Sequence, residues 1–128
     1  MLSIVAAATL SIVLFVSCSK SDDSTPPAAS LVVTQPTLYQ TYRPGDTIHI
    51  AATAHHVTAM HGCHVVITDA SNDTLFHRHE HTHGTQIDVD MYWVNTLAEQ
   101  QELKVLVACV LNHDGDEVKK ELMVKVEP

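Results

Sequence analysis

From residue 31 onward, apolar side chains recur at every second position in short runs separated by turn residues. This period of two constrains the fold more than any other feature, because a helix would repeat at 3.6 residues and leave a different stripe. Leu31-Val32-Val33 opens the series. After the turn Arg43-Pro44-Gly45-Asp46 comes a strand over 47–54, with Ile48, Ile50, Ala52 and Ala54 on one face. The next strand, 62–68, puts Cys63, Val65 and Ile67 on one face and His64, Val66 and Thr68 on the other. Strands at 74–80 and 85–93 follow, the latter with Ile87, Val89 and Met91 inward and Asp88 and Asp90 outward. The near-continuous apolar run 102–111 reads as a central strand buried on both faces. The turn Asn112–Asp116, with Gly115 where positive φ is needed, leads to a last strand bearing Val118, Leu122, Val124 and Val126. Residues 95–101 have room for one helical turn. Seven short strands at regular spacing predict an all-β, seven-stranded antiparallel β-sandwich over 31–128, a single domain with one core.

Charge narrows the function. Fifteen Asp and Glu stand against seven Lys and Arg, a formal charge of −8 with His neutral. The basic residues are scattered, so neither a nucleic acid nor an anionic membrane surface finds the clustered cations it needs. Four glycines and no Gly-rich phosphate loop argue against a nucleotide-using enzyme.

Residues 1–17 are apolar and uncharged, too short for a span of about 20 residues, and read as a signal peptide. The segment ends Phe15-Val16-Ser17-Cys18, which resembles the lipobox of bacterial lipoproteins. That resemblance implies that Cys18 is lipidated through its sulfur and becomes the mature N-terminus, anchored in a lipid bilayer. Residues 18–30 then form a disordered tether rich in Ser, Asp, Pro and Ala. Ser19-Lys20-Ser21-Asp22-Asp23 resembles the acidic export signal of some Gram-negative lipoproteins, which implies an outer-membrane anchor exposed at the cell surface.

All ten histidines lie beyond residue 48, and eight fall between 55 and 83. Sandwich topology places the connections after the second, fourth and sixth strands at one end. Those connections hold His55, His56, Met60 and His61, then His83, then His113. His77, His79, His81 and His83 alternate along one strand, so in regular geometry they share a face at about 6.6 Å spacing. If the 62–68/74–80 hairpin pairs Ala70 with Leu75, His64 faces His81 and Val66 faces His79. His64, His79, His81 and His83 then cluster, with His61 at the edge and His77 further along. Imidazoles brought together in this way suit Zn or Cu, with Met60 either packed at the loop base or a further soft ligand, whereas the scarcity of carboxylates disfavours Ca and Mg. Asp114-Gly115-Asp116 reads as a turn. His49 reads as a plain surface histidine. Without a shared ion, the same residues describe a non-catalytic interaction module whose histidines are incidental or sense acid.

With Cys18 lipidated, Cys63 and Cys109 remain, an even number for an oxidising compartment. They lie on neighbouring strands, where a disulfide, two buried thiols or metal thiolates are each compatible with the pattern.

The closing segment LKVLVACVLNHDGDEVKKELMVKV resembles the last hairpin of immunoglobulin-like and fibronectin-type domains. The chain as a whole is similar to His-rich immunoglobulin-like lipoproteins of Gram-negative bacteria, which implies fold and cell-envelope location but no catalysis. Phe76-His77-Arg78-His79-Glu80 also resembles the FHxHE segment of copper–zinc superoxide dismutases, whose paired histidines bind copper. The bridging histidine and aspartate zinc loop of that family have no counterpart here.

Overall fold

A computed structural model describes residues 29–128. The leader at 1–17, Cys18 and the tether up to residue 28 lie outside the described residues. Eight strands follow in order: β1 (Ser30–Gln35), β2 (Thr41–Tyr42), β3 (Thr47–Met60), β4 (Cys63–Thr68), β5 (Thr74–Glu80), β6 (Gly84–Val94), β7 (Gln101–Val110) and β8 (Glu117–Val126). They form a three-stranded sheet, β1-β3-β6, and a five-stranded sheet, β2-β8-β7-β4-β5. The distribution of strands between the two sheets is immunoglobulin-like.

The all-β sandwich agrees with the sequence pattern, and the strand count and pairing correct it. The eighth strand is β2, which pairs parallel to β8 through Thr41 and Tyr42. Two residues carry no visible periodicity, so only the docking onto β8 creates this strand. The backbone N–H of Tyr39 donates to the Met123 carbonyl at 2.7 Å, and that of Lys125 donates to Gln40 at 2.9 Å. β1 begins at Ser30, inside the expected tether, because Ser30 pairs with His55 of β3.

The alternating residues form the core. Ile48, Ile50, Ala54, Val65, Ile67, Leu103, Val105, Val107, Val124 and Val126 are each fully buried between the sheets. β7 is covered mainly on its inner face: Leu103, Val105 and Val107 are buried there, whereas on the outer face Lys104 and Leu106 remain half-exposed and Ala108, beside His64, is buried. Its continuous apolar run thus belongs to a central strand of a two-layer fold, not to one enclosed on both sides. No helix forms at 95–101. Asn95 is fully buried there, accepting from the Leu97 N–H at 3.1 Å and donating to the Arg43 carbonyl at 3.1 Å. Those bonds hold the backbone extended where a helix would turn it away. Among the described residues, both sheets and the core they enclose lie within Ser30–Val126.

Cys63 and Cys109 are direct cross-strand partners on β4 and β7 and are joined in a disulfide. Both are fully buried, facing the core.

Candidate metal centre

The β4–β5 hairpin decides which histidines meet. Asp69 closes its turn, its Oδ1 accepting from the Ser71 and Asp73 N–H groups, both at 2.9 Å. The Asp69 N–H also donates to the Asp73 carbonyl at 3.0 Å. The loop therefore spans 69–73, and a bulge at Thr68 sets the pairing His64↔His79 and Val66↔His77. The expected partner of His64 was His81, so the observed register is displaced by two residues. A displacement of two preserves faces, since side chains alternate with period two. His64, His77 and His79 consequently share the outer face of the five-stranded sheet.

β5 ends at Glu80, so His81 and His83 occupy the β5–β6 connection instead of extending the strand. This connection folds over the end of the sandwich toward the β3–β4 turn, where His61 sits, and the β7–β8 turn, where His113 sits. Seven imidazoles now follow one another in space. Ring centroids lie 6.1 Å apart for His64–His77, 6.5 Å for His64–His79 and 6.3 Å for His79–His81. The spacing then tightens to 4.7 Å for His81–His83, 5.0 Å for His61–His83 and 4.1 Å for His61–His113. His81 and His83 approach nitrogen to nitrogen, Nε2 to Nε2 at 3.1 Å.

Geometry distinguishes the two ends of this series. Two imidazoles sharing a tetrahedral Zn at about 2.1 Å set their nitrogens about 3.4 Å apart and their ring centroids about 5 Å apart. The His81–His83 pair is close to both separations, and the His61–His83 ring centroids stand at the second. The sheet-face rings stand farther apart. Among the described residues, no three His, Cys, Asp or Glu side chains are already arranged around one ion position. Pairs are preformed, and a full coordination shell requires ring rotation at the surface.

Gly62 makes the approach feasible. Its φ is +125°, and a Cβ built there would lie 2.5 Å from the Glu80 carbonyl oxygen and 3.2 Å from the His79 Nε2. Gly62→Ala is expected to cost about 1–3 kcal/mol through backbone strain alone and to push the 79–81 segment outward. Thermal unfolding of this variant, with zinc affinity measured in parallel, checks both effects.

On the β7–β8 side, Asn112 shapes the turn that carries His113. Its Oδ1 accepts from the Asp114 and Asp116 N–H groups at 3.0 and 3.1 Å, and its Nδ2 donates to Asp116 at 2.7 Å. Gly115 takes φ +87° there, as the sequence pattern implies.

The other candidates separate from the cluster. His55 and His56 are part of β3, which runs on to Met60, and do not lie in a loop. His55 pairs with Gln86, and His56 turns back so that its Nδ1 lies 2.9 Å from the Thr58 hydroxyl oxygen. Met60 is fully buried in the core, where its thioether packs against apolar neighbours rather than reaching the surface. Cys63 and Cys109 are tied to each other, which leaves neither sulfur as a thiolate ligand. Two contacts lie beyond what the sequence pattern indicates, one at Glu117 and one at His49, read above as a plain surface histidine. Glu117 brings its Oε1 to 3.8 Å from His64 Nδ1. His49 stacks on Tyr92 at 4.4 Å and approaches Asp90 at 2.6 Å, on the outer face of the other sheet. Sequence alone gave no signal for either contact, since both depend on cross-strand register.

Electrostatics mark His61 as the crowded member. Burial first, then the neighbouring His113, His83 and His81, hold its pKa below the ordinary value of 6.5. The unfolded chain therefore takes up this proton more readily than the folded one. The stabilising contribution of neutral His61 is complete above pH 6.5 and is lost as pH falls below it.

Fold and site together define an immunoglobulin-like sandwich with a histidine-lined end. No family model matches the chain, and no curated protein matches it. Among the solved structures similar to it are two of the CARDB domain of PF1109 from Pyrococcus furiosus. One, determined in solution, has a TM-score of 0.47 and 6% identity, covering 75% of this chain and 93% of that domain. The other, a crystal structure in complex with di-metal ions, has a TM-score of 0.45 and 7% identity, covering 80% and 96%.

Proposed function

We propose that the chain is a lipoprotein of the Gram-negative cell envelope, anchored through Cys18, whose sandwich binds a transition-metal ion, Zn or Cu. The ligands are His61, His81 and His83, with His113 completing the set. The observation that carries this reading is the His81–His83 pair, whose ring nitrogens face each other at 3.1 Å beside His61. Four imidazoles and no carboxylate suit a borderline-soft divalent ion bound for sequestration, delivery or structural use. Fixed on short connections at the end of a rigid sandwich, they need little reordering to close around it.

Calorimetric titration of residues 19–128 with Zn²⁺ and Cu²⁺ tests the reading. A first equivalent binds at neutral pH and is released as pH falls through the imidazole range, because ligating nitrogens must be unprotonated. Metal-free stability declines over the same acid range as His61 gains its proton, which links the two measurements. Failure to bind either ion at neutral pH, or a first equivalent that keeps its affinity when both His81 and His83 are replaced by alanine, would overturn the reading. The anchor is tested separately: labelled fatty acid is incorporated by the full chain and not by Cys18→Ala.

A further inference from the structure

We propose that the outer face of the five-stranded sheet carries a second metal site, an open tripod of His64, His77 and His79 that takes a divalent ion of the Zn²⁺ class. Its remaining coordination position is left for water or a small anion. This site does not depend on the loop-end site.

The argument begins with register. His64 stands directly opposite His79, and His77 lies two residues along the same strand. The Cβ atoms of such a triangle are separated by about 5 Å across the strands, 7 Å along β5 and 7–8 Å on the diagonal. A point above its centre is about 4 Å from each Cβ in projection, within reach of three imidazoles that lean inward. The ring centroids now stand at 6.1 Å for His64–His77 and 6.5 Å for His64–His79. A shared ion brings two such centroids to about 5 Å, and at most about 6.5 Å when the ligands oppose each other. His77 and His79 are exposed, so their rings can rotate into place by a rotamer change.

The anchor of the tripod is His64, which is half-buried and held from behind. Ala108, its register partner on β7, is fully buried and has no side chain beyond Cβ. That gap lets the imidazole extend across β7 toward β8, where Glu117 lies 3.8 Å from Nδ1. A carboxylate that takes the Nδ1–H of a ligating histidine fixes the tautomer and leaves Nε2 free for metal. Glu117 is in ion-pair range but outside hydrogen-bond distance, so it takes this positioning role for His64 after a small side-chain shift. Three protein ligands on an exposed sheet face leave the ion open to solvent, in contrast to the four imidazoles that close around the loop end.

Cobalt(II) titration read by visible absorption, with azide as the anion probe, tests this on residues 19–128. The native chain takes up about two equivalents, the second more weakly. His81→Ala with His83→Ala keeps about one, whose spectrum shifts on adding azide, whereas His64→Ala with His77→Ala keeps about one that azide leaves unchanged. Glu117→Gln weakens the azide-sensitive site by about 10-fold and leaves the other untouched. All these residues are exposed or half-buried, and circular dichroism verifies that the fold is retained. A single equivalent lost entirely in the His81/His83 variant overturns the tripod, as does a residual cobalt in that variant that ignores azide. A single azide-sensitive equivalent lost only in the His64/His77 variant upholds the tripod and overturns the loop-end reading. Absence of any cobalt binding overturns both.

Discussion

Replacing Cys63 and Cys109 together by alanine is expected to destabilise the sandwich by about 4 kcal/mol, the chain entropy released when a cross-link of this span is cut. The bridge closes a loop of sequence separation 46 and lies wholly inside the core. Truncating two buried sulfurs also leaves small voids, which adds to the loss. For a domain of about 100 residues this corresponds to a fall in melting temperature of roughly 15–30 °C. Calorimetry of residues 19–128 under non-reducing conditions measures it. A fall of only a few degrees would mean that the cross-link contributes little beyond what the β4–β7 ladder already supplies. The bridge also sets the base of the proposed loop-end site. Gly62 and His61 immediately precede Cys63, and Val110 follows Cys109 with its carbonyl accepting from the His61 N–H at 2.8 Å. The disulfide therefore fixes the base from which the histidine-bearing turns extend, and its removal is expected to weaken zinc binding as well as stability.

The second large effect concerns His81 and His83. Removing both imidazoles deletes the preformed nitrogen pair and leaves His61 and His113 as the remaining loop-end ligands. Zinc affinity at that site is expected to fall by at least about 100-fold, or about 2.8 kcal/mol. Both side chains are exposed and lie beyond the end of β5, so the melting temperature of the metal-free protein changes little. A competition titration against a chromophoric chelator measures the affinity. Retention of native affinity in this double variant would remove the loop-end site, whereas loss of both affinity and fold would point to a structural role for the turn.

Legibility differed sharply between the layers of this molecule. The inward faces of the strands followed from alternation: Ile48, Ile50, Ala52 and Ala54, then Cys63, Val65 and Ile67, then Ile87, Val89 and Met91 are all buried. Burial of an apolar face is a local property of a period-two pattern, so sequence spacing carries it. The partner of His64 was a different matter. It depended on whether the hairpin closed at Ala70–Leu75 or at Asp69–Asp73, and the Asp69 carboxylate settled that by capturing two backbone N–H groups of the turn. Likewise, β2 exists only because β8 offers an edge, and Met60, which the sequence leaves open between packing and ligation, is carried into the core by the extension of β3.

The amino-acid order by itself thus determined that the chain folds as an all-β sandwich, which residues fill it, and that its histidines gather toward one end. Only the tertiary structure decided which imidazoles neighbour one another, that Gly62 lets the 79–81 segment lie against the β3–β4 turn, and that Glu117 comes within 3.8 Å of His64 across β7. The reason is physical: burial is decided by each strand's own alternation, whereas convergence of side chains depends on register and turn closure, which non-local hydrogen bonds fix.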